Sequence, residues 1–299
     1  MSAQCSSVLT SMPWLDATGR LSPLKSLTLV AICLPVLWMA MEVSSGNWDF
    51  PSPFVLLIYN SGLWTTYLLL LSLLITPLRQ LTGWGKLIQI RRMLGVACFY
   101  YGALHVVAWF GLRFWNWAEL AWEGVSRPSL WAATLSFVVI IALAATSFDR
   151  MIGAMGAQRW RRLHRLVYAA TFLAVLHFLM SPGSLQGLPF LMAGAYFWLM
   201  AWRLLGRHTR TSIPAMALLG LGSSLFVFFL QPIWLAAYHP PGTVQTPWDA
   251  MAGNFDLEVW QYLGVPPVWV MLAWTIFTVL IATWRQPTSL KAISPRSVT

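Results

Sequence analysis

The segment SLWAATLSFVVIIALAATSF, residues 129–148, decides the fold class of this 299-residue chain. It contains neither a charged residue nor a proline. A helix needs about 20 apolar residues to cross the hydrocarbon core of a bilayer. The rest of the chain has the same character, since 58% of its residues are hydrophobic and 9% are charged, against about 25% charged in soluble domains. The sequence therefore predicts an all-α polytopic membrane protein.

Seven further apolar segments flank this one, which gives a transmembrane bundle of eight predicted helices. Their predicted bounds are 26–43, 54–75, 93–111, 129–148, 165–180, 188–205, 213–237 and 266–284. Within the second helix, the run Asn60-Ser-Gly62 predicts a break, which is tolerable inside a packed bundle. The loop at 238–265 is rich in aromatic and acidic residues and is expected to form a helix lying at the outer interface.

The basic residues of the loops predict how the helices are oriented. Of the 19 Lys and Arg residues, 17 lie in the two tails and in the loops near residues 76–92, 149–165 and 203–212. The alternate loops hold only Arg113 and Arg127, together with seven of the nine acids. Because basic loops stay in the cytoplasm, we expect both termini on that side of the membrane.

The net charge of +10 raises the question of nucleic-acid binding. Its distribution over alternate loops is explained by topology, and arginines at such positions are expected to face anionic lipid headgroups. We therefore expect membrane lipid, and no nucleic acid, as a partner. The three cysteines form no CxxC or Cys/His spacing that would indicate a metal site or a disulfide framework. The glycine pairs at 83–85 and 220–222 lack the rest of a nucleotide-binding motif.

Three histidines stand out inside this apolar chain. His105 lies 13 residues beyond Arg92 in the third predicted helix, and His177 lies 13 residues beyond His164 in the fifth. Ionisable residues within a membrane are functional candidates by default, and histidine is the usual axial ligand of haem iron. The matched spacing predicts that His105 and His177 lie at one depth and hold one haem between them. Core histidines bonded to Ser, Thr or backbone are the alternative interpretation.

His164 is expected at the inner surface, at the start of the fifth helix, where a second haem could bind. Thirteen residues leave His164 and His177 about 140° apart around an ideal helix, so they share a face only if the helix start is distorted. The facing helix offers Arg91 and Arg92 in place of a second histidine. An arginine suits a haem propionate or a flavin phosphate better than iron. His208 and His239 lie in loops and are expected to be ordinary surface residues.

Three stretches together resemble a known family. They are residues 73–78, residues 90–95 with Leu104-His105, and residues 160–168 with His177. In order and spacing they are similar to the MsrQ/YedZ family, the haem-binding membrane subunit of the bacterial periplasmic methionine sulfoxide reductase system, within the ferric-reductase-like transmembrane superfamily. The similarity runs from about residue 25 to 205 and covers six of the eight predicted helices.

The resemblance implies an electron-transfer subunit in the inner membrane, not a complete enzyme. It implies one or two b-type haems with His105, His164 and His177 as axial ligands, and a flavin nucleotide, FMN, which we place at Arg91 and Arg92. Electrons would come from a cytoplasmic flavin reductase or from quinol. They would go to a periplasmic molybdopterin enzyme that reduces oxidised methionine.

The resemblance also divides the chain. We expect a cytoplasmic N-terminal tail over residues 1–25 and a ferric-reductase-like haem-binding domain over 26–205. Residues 206–299 would form an extension with two further transmembrane helices and a periplasmic loop. Two other functions stay open: a stand-alone ferric-reductase-like or quinol-linked cytochrome b without that partner, and a haem-free membrane module such as a receptor or scaffold.

Overall fold

The structure is a computed structural model that describes residues 12–16, 18–46, 49–181, 187–206, 209–238 and 247–285. It is all-α, as predicted. The α-helices, in chain order, are α1 (Pro23–Ser45), α2 (Pro53–Thr82), α3 (Arg91–Leu112), α4 (Trp117–Ser126), α5 (Pro128–Ala145), α6 (Asp149–Met155), α7 (Ala157–His164), α8 (Val167–Leu179), α9 (Leu188–Leu204), α10 (Ile213–Tyr238), α11 (Pro247–Ala252), α12 (Leu257–Leu263) and α13 (Pro267–Arg285). A 3-10 helix over Gly85–Ile90 leads into α3.

The long helices identify a multi-pass membrane protein. Six helical segments in the described part of the chain are long and apolar enough to cross a membrane, namely 23–45, 53–82, 85–112, 128–145, 213–237 and 267–284. The other two predicted helices are also present but shorter, α8 with 13 residues and α9 with 17. At 1.5 Å per residue, α8 is about 20 Å long.

The second helix shows that its predicted break is wrong. The helix α2 runs without interruption through Asn60, Ser61 and Gly62. The polar side chains bond back to their own helix: Asn60 donates to the carbonyl of Leu56 at 3.0 Å, and Ser61 donates to that of Leu57. These bonds satisfy buried polar groups without opening the backbone ladder.

The loops contain short helices that the apolar pattern did not indicate. Helix α4 occupies the loop between the third and fourth predicted helices, and α6 and α7 occupy the next one. As a consequence, the fourth predicted helix ends at Ala145 instead of residue 148, and the fifth begins at Val167 instead of residue 165. The loop at 238–265, where a helix was expected, contains two short helices, α11 and α12.

The chain forms two compact units, and the first comprises Met1–Ile75 and Lys86–Pro182. In it, α5 packs against α8 and α3, and α3 packs against α1. Tyr101 of α3 forms hydrogen bonds with the backbone of α1 on either side of its internal proline, Pro35. Its hydroxyl donates to the carbonyl of Ile32 at 2.6 Å and accepts from the amide of Val36 at 3.1 Å. A side chain thus enters the helix hydrogen-bond ladder, which is a recognised cause of helix kinks.

The second unit comprises Thr76–Gly85 and Gly183–Thr299. Helix α10 packs against α9 and α13. The contact with α13 is close because Gly220 lies against the side chain of Thr275, where a Cβ atom would overlap its hydroxyl. The predicted domain boundary between residues 205 and 206 stays a prediction.

Candidate functional site

The first compact unit brings two of the three singled-out histidines together. His105 lies on α3 and His177 near the end of α8. Their imidazole ring centres are 6.2 Å apart, and the ring planes are nearly perpendicular at 82°. Two imidazoles that ligate one metal ion from opposite sides, at metal–nitrogen distances of about 2 Å, have ring centres about 6 Å apart. The separation of the two rings therefore fits a shared metal centre.

Both rings are oriented by a backbone carbonyl. Nδ1 of His105 donates to the carbonyl of Ile58 on α2 at 2.8 Å, and Nδ1 of His177 donates to that of Ser129 on α5 at 2.9 Å. A carbonyl can only accept, so each neutral ring carries its proton on Nδ1 and its lone pair on Nε2. Metal-ligating histidines are normally held in this way by their second nitrogen. The alternative interpretation expected core histidines bonded to the backbone, and such bonds are present. They leave Nε2 of each ring unprotonated, which is the form that binds a metal.

Gly62 makes room for one of these rings. A Cβ atom at this position of α2 would lie 2.8 Å from Nδ1 and 2.9 Å from Cε1 of His105. Since real Cβ atoms essentially never come so close, a glycine is needed for His105 to reach the carbonyl of Ile58. The sequence pattern assigned Gly62 to a helix break and missed this role. A glycine within a long apolar helix is the signal that could have indicated close packing.

The third histidine, His164, occupies a different environment. It is the last residue of α7 and does not begin the fifth helix, so the expected start there is wrong. Its Nε2 lies 3.2 Å from the hydroxyl of Thr146, and its ring stacks on that of Trp160 with centres 4.0 Å apart. Because α7 and α8 are separate helices, the 140° offset expected on one continuous helix does not apply.

The two predicted arginines differ in their partners. Arg92 forms an ion pair with Asp149, the first residue of α6. Arg91 acts on His164: burial and the positive charge of Arg91 lower the pKa of the His164 imidazole, since both disfavour the protonated ring. The structure therefore associates Arg91, and not Arg92, with His164. His208 and His239 lie outside the described residues.

The chain matches known proteins over about two thirds of its own length. It is 34% identical over 209 residues to the protein-methionine-sulfoxide reductase heme-binding subunit MsrQ of Azospira oryzae, a match that covers 66% of this chain and 88% of the relative. It is 38% identical over 197 residues to MsrQ of Bordetella pertussis, covering 62% of this chain and 90% of the relative. The chain belongs to the MsrQ family. A third member, from Rhodospirillum rubrum, is 33% identical over 190 residues, 63% of this chain and 88% of its own.

The MsrQ match is supported by a broader family model. Residues 61–175 match the ferric reductase like transmembrane component. This range contains His105 and His164 and ends two residues before His177. No solved structure gives a significant match to the chain. About one third of the chain lies outside the match to each of these MsrQ proteins.

Proposed function

We propose that this protein binds b-type haem between His105 and His177 and transfers electrons across the bacterial inner membrane. The acceptor would be a periplasmic molybdopterin-dependent methionine sulfoxide reductase. The paired imidazoles carry the proposal, since their ring centres are 6.2 Å apart and each Nδ1 is held by a backbone carbonyl. Membership of a family whose curated relatives are called heme-binding subunits supports it. Bound haem would supply a centre that takes up and releases one electron at a time.

The residues around His105 and His177 would keep both histidines bound to the haem in its oxidised and its reduced state. The carbonyl bonds fix ring orientation and raise the basicity of Nε2. Both rings lie on helices that pack against α5, so little rearrangement would be needed when the oxidation state changes. With His105 and His177 both holding the haem iron, the site would favour electron transfer over the binding of a substrate to the metal.

We propose His164 as the ligand of a second, inner haem, as the predicted set of three histidines implies. Arg91 is the residue that would pair with a haem propionate or with the phosphate of FMN, since a guanidinium binds such anions in a two-point contact. Electrons would enter on this side from a cytoplasmic flavin reductase or from quinol. Both termini would then be cytoplasmic, as the basic loops predict.

A second candidate function is a stand-alone ferric-reductase-like or quinol-linked cytochrome b. The match of residues 61–175 to the ferric reductase like transmembrane component favours it. The two functions differ only in what oxidises the protein. One needs a periplasmic protein partner, and the other needs only a small acceptor such as a ferric complex.

The experiment that tests the proposal follows the haem spectrum of the purified protein in liposomes. After reduction by quinol or by a flavin reductase with its nicotinamide donor, the reduced spectrum should persist until the molybdopterin subunit and a methionine sulfoxide substrate are both present. Reoxidation by ferric complex alone, with no effect of the molybdopterin subunit, would favour the second function. The variant His177→Ala is the negative control, since it removes one of the two ligands.

A further inference from the structure

A buried carboxylate lies in the last part of α4, between the helix that carries His105 and the helix whose Ser129 carbonyl orients His177. The side chain of Glu123 is only 8% exposed. Arg113 donates to it twice, from Nη2 to Oε1 at 2.7 Å and from Nε to Oε2 at 3.2 Å. Arg127 approaches the same Oε1 at 2.9 Å. A carboxylate is almost never buried unless it is paired, and this one is paired with two arginines.

The two arginines flank the two helices that position the histidines, α3 and α5. Arg113 directly follows α3, eight residues after His105. Arg127 directly precedes α5, two residues before Ser129, whose carbonyl orients His177. Glu123 therefore connects the end of α3, which carries His105, to the beginning of α5, whose Ser129 carbonyl orients His177.

The backbone around this carboxylate is constrained. Phe114 and Trp115 both have positive φ angles, of 48° and 58°, a conformation that is strained for residues other than glycine. The ring of Trp115 packs 5.8 Å from that of Phe110. On the other side, the indole of Trp131 on α5 donates to the carbonyl of Val125 at 3.1 Å. Such a turn persists only where its surroundings hold it in place.

We propose that Glu123 is a positioning residue for the haem site, acting through Arg113 and Arg127 on the relative placement of His105 and Ser129. The inference rests on the proposed haem ligation by His105 and His177. Glu123 holds Arg113 by a two-point hydrogen-bonded contact that allows little rotation, and it forms an ion pair with Arg127 at 2.9 Å. The sequence indicated Glu123 only as one of the acids of the outer loops.

The test compares Glu123→Gln with Glu119→Gln. Glu119 lies on the same helix and 3.6 Å from Arg113, but its side chain is 43% exposed. Both variants remove one negative charge near the same arginine, so a purely electrostatic effect should move the haem midpoint potential in both. Positioning predicts that Glu123→Gln alone loosens haem retention, by about tenfold as for other groups that support a metal ligand. It should also change the low-spin EPR signal of the haem that remains.

Two further variants make the result decisive. If Glu123→Gln does not accumulate in membranes, Arg113→Lys replaces it, since lysine keeps the charge and removes the two-point contact. Tyr101→Phe removes the part-buried hydrogen bonds between α3 and the backbone of α1 and should lower stability without altering the EPR signal. A wild-type signal and wild-type retention in Glu123→Gln, or in Arg113→Lys where that replaces it, would overturn the proposal. A wild-type protein without haem would instead refute the haem site itself.

Discussion

Replacing Gly62 by alanine should displace His105 and release haem. The added Cβ would lie 2.8 Å from Nδ1 of His105, so a shift of about 0.6 Å is needed to reach ordinary contact at 3.4 Å. The ring would move away from the Ile58 carbonyl, which Nδ1 now reaches at 2.8 Å. Ligand geometry must be held within about 0.5 Å, and loss of a supporting bond weakens metal binding by about 10- to 100-fold.

The expected loss of haem in Gly62→Ala can be distinguished from an effect of the substitution on helix stability. In a helix interior, Gly→Ala is stabilising by up to about 1 kcal/mol, so propensity alone would make Gly62→Ala more stable. The matched control is Gly95→Ala on α3, where an added Cβ meets no atom within 4 Å. The assay is haem content per protein and the oxidised and reduced absorption spectra after purification. Wild-type haem content in Gly62→Ala would refute the reasoning, as would equal losses in both variants.

Three further results are expected. Folding lowers the pKa of the His164 imidazole. The free energy of unfolding should therefore be highest above the ordinary histidine pKa of about 6.5 and should fall as the pH drops below it. His164→Gln should show a smaller fall in melting temperature between about pH 7.5 and pH 5.5. Tyr101→Phe should cost about 0.5–1.5 kcal/mol in unfolding measurements, since it removes the part-buried hydrogen bonds to the backbone of α1. Gly220→Ala should lower the melting temperature through overlap with Thr275, whereas Gly222→Ala, with nothing within 4 Å of its added Cβ, should not.

Much of the fold could be predicted because hydrophobicity alone specifies a membrane helix. The uncharged run at 129–148 lies on α5, and all eight predicted apolar helices occur. The short helices α4, α6 and α7 were missed because apolar length does not indicate them. Helix α4 does carry a local signal: the side chain of Asn116 accepts from the amide of Glu119, and Asn followed three residues later by Glu is a helix-start pattern.

The site was only partly predictable, for a physical reason. Matched spacing placed His105 and His177 at one depth, and the structure brings their rings together. Their partners are backbone carbonyls, which the residue types do not indicate, and the only sequence signal for the close approach of His105 is Gly62 itself. The break expected at Asn60-Ser-Gly62 was wrong because a helix can satisfy such side chains internally. The role proposed for Glu123 likewise depends on which chain segments meet.

The ligation of haem by His105 and His177 is tested most directly by low-temperature EPR of the purified ferric protein. Rings inclined at 82° should give the strongly anisotropic low-spin signal of nearly perpendicular imidazole planes, whereas parallel planes give a rhombic one. We expect that signal in the wild type and in His164→Ala, and its loss in both His105→Ala and His177→Ala. A protein purified without haem, or the same signal surviving in either of those two variants, would contradict the account.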